Sequence, residues 1–235
     1  MTSLDILAFG AHPDDVEIGM GGTIAKYVQK GNKIGICNLT YAELSSNGTK
    51  ENRQLEAKKA AQTLNVHELI QLSLPDRGLY ISDENIKVIS RVIRTYKPKV
   101  VFVPYSIDRH PDHGNCAKLV EEVLFSAKIR KFDEESNMQP HNVSKLYFYM
   151  INGLHKPDFY INISEFIHIK KEALQAYESQ FILTEGSVAT PLTNNYIQRV
   201  IDREKLFGTE CGCDYAEGFF AKEPLILEDD LLGGA

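Results

Sequence analysis

Two short histidine–aspartate clusters carry the chemistry this chain could perform. His12-Pro13-Asp14-Asp15 stands near the amino terminus, and His110-Pro111-Asp112-His113 stands far downstream. In each, metal-capable side chains lie three residues apart around a proline, which stiffens the turn and brings both to one point. His12 and Asp15 offer an imidazole nitrogen and a carboxylate oxygen, and His110 and His113 offer further imidazoles. Two imidazoles and one carboxylate make the ligand count of a catalytic zinc site, which keeps a fourth position for water. Neither cluster contains cysteine, so a closed structural zinc site is not expected. Nitrogen and oxygen donors would also accept iron, manganese or cobalt.

Spending three ligands leaves Asp14, His110 and Asp112. Zinc lowers the pKa of its water to about 7, and a carboxylate beside that water, Asp14, is placed to take its proton. His110, across the site and protonated, is expected to stabilise the oxyanion that forms on an attacked carbonyl. Asp112 is expected to hydrogen-bond a histidine and hold its tautomer. A metal sensor or scaffold would need none of these spare groups. A two-metal phosphoesterase would need more ligands than the one metal per chain counted here. Either cluster alone would also serve as a proline turn whose aspartate caps the next helix. Two such clusters, each straight after an apolar strand, are harder to explain that way.

The flanking residues set the elements that position these groups. Residues 4–9 are an apolar run that breaks at Gly10, and Gly19, Gly21 and Gly22 are expected to turn the chain into a helix near Thr23. Their spacing is not that of a dinucleotide loop. Strands are expected at 33–39, 66–72 and 100–104, the last a β-branched run bounded by prolines. Helices are expected at 51–64, with Leu55, Ala60, Ala61 and Leu64 as its apolar stripe, at 83–96, and at 115–128. Pro75-Asp76-Arg77-Gly78 reads as a turn. Further strands are expected at 145–151 and 158–163, helices at 165–177 and 195–207, a late strand or docking element at 215–221, and a frayed acidic tail at 228–235. The alternation predicts an α/β fold, a mostly parallel sheet with helices on both faces and added carboxyl-terminal strands and helices. Right-handed crossovers give a strand order of 3-2-1-4-5. The first and fourth strands are then neighbours, and the two clusters meet at the sheet's carboxyl edge.

Composition narrows the partners. A chain of 235 residues, 43% hydrophobic and 25% charged, is ordinary for one soluble α/β unit spanning 1–235. The formal net charge of −6, with no dense Lys/Arg cluster, excludes the basic stripe of a nucleic-acid binder. Asp5 interrupts the first apolar run and no basic region precedes it, so no signal peptide is expected. No apolar stretch is long enough to span a bilayer. Cys37 and Cys116 read as buried thiols, and the C-x-C pair Cys211 and Cys213 as loop thiols. These features point to the cytoplasm.

AHPDD after the first strand and HPDH after the fourth resemble the PIG-L/LmbE-like family of metal-dependent N-acetylglucosaminide deacetylases. The segment 40–53 takes part in the resemblance. The ending GCDYAEGFF is similar to the bacterial branch that deacetylates N-acetylglucosaminyl malate in bacillithiol synthesis. The resemblance implies zinc ligands at His12, Asp15 and His113, a general base at Asp14, an oxyanion-side histidine at His110 and a substrate-contacting arginine at Arg53. It also implies a Rossmann-like α/β sandwich and a hexamer. The expected reaction hydrolyses the acetamide of an N-acetylglucosamine unit, with chitin oligosaccharides and other conjugates as alternative substrates. Arg53 together with Arg109 would suit an anionic aglycone such as malate. Asp108 and Arg109 are expected either to flank the pocket or to pair with each other. Tyr105 is expected either to reach the leaving group or to pack. One departure is visible: relatives often carry Gly-Glu after the second strand, and here the step is Ala42-Glu43.

Overall fold

Strand β1 (Ile6–Gly10) lies inside a seven-stranded sheet, and its two faces feed two separate apolar layers. Residues 3–226 are described by the computed structural model; the expected acidic tail, 228–235, lies outside them. The chain continues through α1 (Asp15–Gln29), β2 (Ile34–Asn38), α2 (Lys50–Thr63), β3 (Glu68–Gln71), α3 (Asp83–Tyr96), β4 (Val100–Pro104) and α4 (Pro111–Ala127). It then forms β5 (Lys145–Tyr149), β6 (Phe159–Asn162), α5 (Ile167–Gln175), α6 (Glu178–Phe181), α7 (Tyr196–Cys211) and β7 (Ala216–Ala221).

The strand order is β3-β2-β1-β4-β5-β7-β6. The first five strands are parallel in the expected 3-2-1-4-5 order. The segment expected as a strand or docking element is β7, which pairs antiparallel with both β5 and β6. Buried on both faces, β1 and β2 are continuous apolar runs rather than alternating ones. Leu7 and Phe9 pack with α3 and α4 residues such as Ile89 and Val123. Ile6 and Ala8 pack with Ile24, Ala57 and Leu174 from the helices of the opposite face. Cys37 and Cys116 are buried as expected, and Cys211 is exposed.

Two helix starts and one helix face differ from the sequence reading. Helix α1 starts at Asp15 instead of near Thr23, and it is interrupted at Met20, where φ is −150°. The glycines lie inside it because they let the helix approach the sheet closely. A Cβ at Gly19 would overlap the Tyr149 ring, and one at Gly22 would sit 2.6 Å from Ile163 Cδ1. Tyr149 is itself fixed, its hydroxyl donating to the Phe9 carbonyl at 2.7 Å. Helix α4 starts at Pro111, with proline in its first turn, where a missing N–H costs nothing. Leu55 is 57% exposed; the buried face of α2 is rotated to Arg53, Glu56, Ala57, Ala60 and Ala61, because this face carries polar residues toward the carboxyl edge.

Behind α1 lies a buried charge network. Lys170 Nζ is 2.6 Å from both Glu204 Oε1 and Glu217 Oε1, and Arg203 Nη2 is 2.9 Å from Glu204 Oε1. The Glu217 carboxylate also accepts the Gly22 and Thr23 N–H groups at 2.9 and 2.7 Å. Those amides are freed by the break at Met20, and a carboxylate there acts as the cap that the second half of α1 needs.

Candidate metal and active site

Strands β1 and β4 are paired neighbours, so the loops leaving their carboxyl ends open into one crevice, where parallel sheets bind ligands. Gly10 permits the first turn: a Cβ there would lie 2.9 Å from the His12 carbonyl oxygen. Asp14 follows with φ of 100°, a costly conformation for a non-glycine residue and one that clusters at functional sites. The His12 N–H donates to Asp15 Oδ2 at 2.9 Å, closing the turn. In the second loop His110 caps α4, its Nδ1 accepting the Asp112 N–H at 3.3 Å, so Asp112 and His113 occupy the first helical turn.

The two clusters converge. Asp15 Oδ1 lies 3.1 Å from His113 Nε2, and Asp15 Oδ2 lies 3.5 Å from His12 Nδ1. The His12 ring centroid is 4.8 Å from that of His110 and 5.7 Å from that of His113. His110 stacks on His113 at 4.9 Å. All four side chains are largely buried, His110 least so. Five carboxylates gather here: Asp15, Asp76 and Asp108 lie against the histidines, while Asp14 pairs with Arg53 and Asp112 with Arg77. Burial disfavours a charged imidazole, yet Asp112, Asp15 and Asp76 hold His12 well above its ordinary pKa. Asp15 and Asp108 likewise outweigh burial at His113 and raise it to about 9. Asp15 is held well below the carboxylate range, because His113 and His12 outweigh burial. A buried pocket with surplus negative charge and nitrogen and oxygen donors converging without cysteine fits a divalent cation.

Asp14 differs from Asp15. Burial pushes its carboxyl up to about 6; Arg53 opposes this, and the neighbouring Asp15 reinforces it. Arg53, itself buried, donates from Nη2 to Asp14 Oδ2 at 3.3 Å and to the Pro13 carbonyl oxygen. Burial first, then the positive charge of His12 and His113, lowers the pKa of His110, which works against the protonated form expected for it. With Nδ1 accepting the Asp112 N–H, its proton sits on Nε2.

Two carboxylates take positions next to the histidines that the sequence reading did not assign. Asp76 Oδ1, from the turn after β3, is 3.3 Å from His12 Nε2. Asp108 Oδ1 is 3.0 Å from His113 Nδ1, an oblique approach rather than an aligned hydrogen bond. Asp108 also accepts the N–H groups of His110 and Asn152 at 2.8 and 3.0 Å, so it turns inward. Asp112 Oδ2 lies 3.7 Å from His12 Nε2, and its oxygens take Arg77 N at 2.7 Å and Nη1 at 3.0 Å. One signal could have found Asp76: it follows the third parallel strand at the same carboxyl edge as both clusters. Ala42 adopts φ of 53°, a left-handed conformation that glycine adopts without strain.

A cavity of about 320 Å3 opens over the cluster, with Arg53, Arg109, Asn152, Gln180, Leu192 and Tyr196 among its walls. Arg109 is exposed at its rim. Tyr105 is not in this wall; it stacks on Phe220 at 3.7 Å. A roomier groove of about 640 Å3 beside β5 and the end of β7 lacks any such cluster of histidines and carboxylates.

Comparison with known proteins agrees with this geometry. Residues 7–124 match the family model described as PIG-L: GlcNAc-PI de-N-acetylase. The chain is 31% identical over 226 residues to diacetylchitobiose deacetylase of Thermococcus kodakarensis, covering 91% of this chain and 81% of that protein. It is 27% identical over 201 residues to a probable N-acetyl-α-D-glucosaminyl L-malate deacetylase 2 of Bacillus anthracis, covering 75% and 81%. The crystal structure of a conserved protein from Thermus thermophilus superposes with a TM-score of 0.86 at 34% identity, covering 95% and 97%. The chain therefore belongs to the PIG-L family of deacetylases, enzymes that hydrolyse an amide.

Proposed function

We propose that the protein is a zinc-dependent deacetylase of a small N-acetylglucosaminyl substrate, with N-acetylglucosaminyl malate of bacillithiol synthesis as its leading candidate. The observation that carries the reading is Asp14, a buried carboxylate raised to about 6 beside the converging donors of His12, Asp15 and His113. A base with that pKa works near neutral pH.

His12, Asp15 and His113 would hold one ion per chain, with iron or another divalent metal able to replace zinc. When bound, such an ion polarises the amide carbonyl and makes water a better nucleophile. Asp14 takes the proton of the attacking water as its oxygen bonds to the acetyl carbon. The same carboxyl then gives that proton to the departing nitrogen as the C–N bond breaks, so acetate and a free glucosamine amine leave. His110 donates its Nε2–H to the carbonyl oxygen as charge grows there. Arg53 keeps the Asp14 carboxylate fixed.

Arg109 at the rim and Arg77, whose side chain is 48% exposed, favour an anionic aglycone such as malate. A second reading, diacetylchitobiose or a related chitin oligosaccharide, is favoured by the likeness to the Thermococcus kodakarensis enzyme. We further propose one catalytic unit over 1–235 that assembles as a hexamer in the cytoplasm; among the described residues no helix is long and apolar enough to cross a membrane. Acetate release from N-acetylglucosaminyl malate, diacetylchitobiose and N-acetylglucosamine, measured side by side with and without a chelator, tests the reading. Chelator-sensitive release fastest from the malate conjugate is expected. Fastest release from diacetylchitobiose would move the assignment to the second reading, and no release from any would overturn both.

A further inference from the structure

We infer that Gln180 is a specificity-determining residue whose side-chain oxygen accepts a hydrogen bond from a hydroxyl of the bound sugar. The inference rests on the proposed sugar substrate and deepens it. Gln180, on α6, is 5% exposed and lines the cavity over the histidine–aspartate cluster. Its Nε2 donates to the Asn47 carbonyl oxygen at 2.8 Å and to Ser179 Oγ at 3.0 Å. A carboxamide has two N–H donors, and both are spent. The atom left is Oε1, which has no hydrogen-bond partner among the described residues. It is not sealed in the interior, so it opens on the cavity.

The neighbours of this amide fix which way round it sits. The Glu56 carboxylate, from α2, takes the Ser179 N–H and the Ser179 Oγ–H, each at 2.7 Å. Ser179 Oγ has then given its only proton and is left to accept from Gln180. Turning the amide over would set Gln180 Oε1 against the Asn47 carbonyl oxygen, acceptor against acceptor. Asn47 is tied down in turn: its Nδ2 donates to the Val188 carbonyl oxygen at 2.8 Å, and its Oδ1 accepts the Val188 N–H at 2.7 Å. The loop after β2, helix α2 and the segment around Val188 thus hold one acceptor in one direction.

The other neutral polar side chains of the cavity do not offer this. The Tyr196 hydroxyl donates to Asn152 Oδ1 at 3.0 Å, and Asn152 Nδ2 donates to Asp108 Oδ1 at 3.0 Å. Ser45 also lines the cavity, but its hydroxyl can turn to donate or to accept and so imposes no polarity. A nearly buried acceptor is costly until a donor reaches it. A sugar hydroxyl supplies that donor. A carboxylate oxygen would meet Oε1 with like partial charge, so the Gln180 wall takes the sugar and leaves an anionic aglycone to the arginines.

Acetate release from N-acetylglucosamine, and from its analogues that each lack one hydroxyl other than the anomeric one, tests the inference. On the unaltered enzyme kcat/KM should fall by about 10-fold for one of these analogues. Gln180→Met keeps much of the side-chain shape and removes the acceptor. It should lower kcat/KM for the parent sugar by a similar factor and bring it within about twofold of that analogue. The ratios for the other analogues should stay as they were. A variant that slows all the sugars together and leaves every ratio unchanged would show a wall that has only shifted, and would overturn the inference. An unaltered enzyme that discriminates against none of the analogues would overturn it too. If Gln180→Met does not fold, singly fluorinated sugars on the unaltered enzyme decide, because fluorine can accept a hydrogen bond but cannot donate one. At the recognised position fluorine should fail to restore the rate; restoration at every sensitive position would sink the inference. No acetate from any sugar would end the proposed function and this inference with it, whereas release with unchanged ratios in the variant would end this inference alone.

Discussion

Arg53 Nη2 lies 3.3 Å from Asp14 Oδ2 and also donates to the Pro13 carbonyl oxygen, so one buried guanidinium clasps the loop that carries the proposed base. Arg53 still lines the cavity, yet much of its hydrogen-bonding capacity is spent on the protein. Arg53→Ala should therefore lower kcat by about 100-fold through misplacement of Asp14, to a similar extent on the malate and chitobiose substrates. The anionic aglycone should respond instead to Arg109→Ala, with KM raised several-fold for N-acetylglucosaminyl malate, in line with the ~1 kcal/mol of an exposed charge pair. Steady-state kinetics on both substrates check the split. A malate-selective loss in Arg53→Ala would restore that arginine to direct aglycone recognition.

Asp14→Asn keeps the shape of the side chain and removes its basicity. Its kcat should fall by about 10²–10⁴-fold, while elemental analysis still finds one zinc per chain. Turnover within tenfold of the unaltered enzyme would place the base elsewhere.

The pH profile follows from the same carboxyl. Asp14 is raised to about 6 chiefly by burial, and as the proposed base it would act deprotonated, so kcat/KM should fall as pH drops through that region. A bound cation favours the carboxylate and moves this limb to about pH 6 or below. Because Asp14 and Asp15 interact, the measured midpoint belongs to the pair. Arg53→Ala removes a cation that opposes the upward shift, so its acid limb should move to higher pH. A limb that stays fixed in that variant would separate Arg53 from the titrating group.

The network behind α1 should matter for stability. Lys170→Met leaves the buried Glu204 carboxylate with Arg203 as its only cation and the Glu217 carboxylate with only the Gly22 and Thr23 amides. Breaking a buried ion pair from one side costs about 3–5 kcal/mol, and denaturant unfolding should show it. Replacing Lys170 and Glu217 together by apolar residues should not restore the protein, because Glu217 also caps the Gly22 and Thr23 amides. Full recovery in the double variant would reduce the network to a charge pair.

Ala42 offers a smaller test. Its left-handed backbone costs an L-residue about 1–2 kcal/mol, and glycine's entropic cost is about 0.5–1 kcal/mol. Ala42→Gly should leave stability equal or raise it by about 1 kcal/mol, read from the denaturation midpoint.

The sequence by itself determined the parallel order of the first five strands and the meeting of His12, Asp15, His110 and His113. Both follow from local rules: apolar runs that must be buried on two faces, and right-handed crossovers that make β1 and β4 neighbours. Only the tertiary structure decided what faces each of those residues. Asp76 and Asp108 reach the histidines from separate loops, Arg53 crosses from α2 to the Asp14 turn, and the glycines of α1 answer to Tyr149 and Ile163 instead of ending a loop. Such partnerships depend on side-chain direction across distant segments, which no periodicity encodes. The environment of His110 was decided the same way: burial and the positive charge of His12 and His113 lower its pKa.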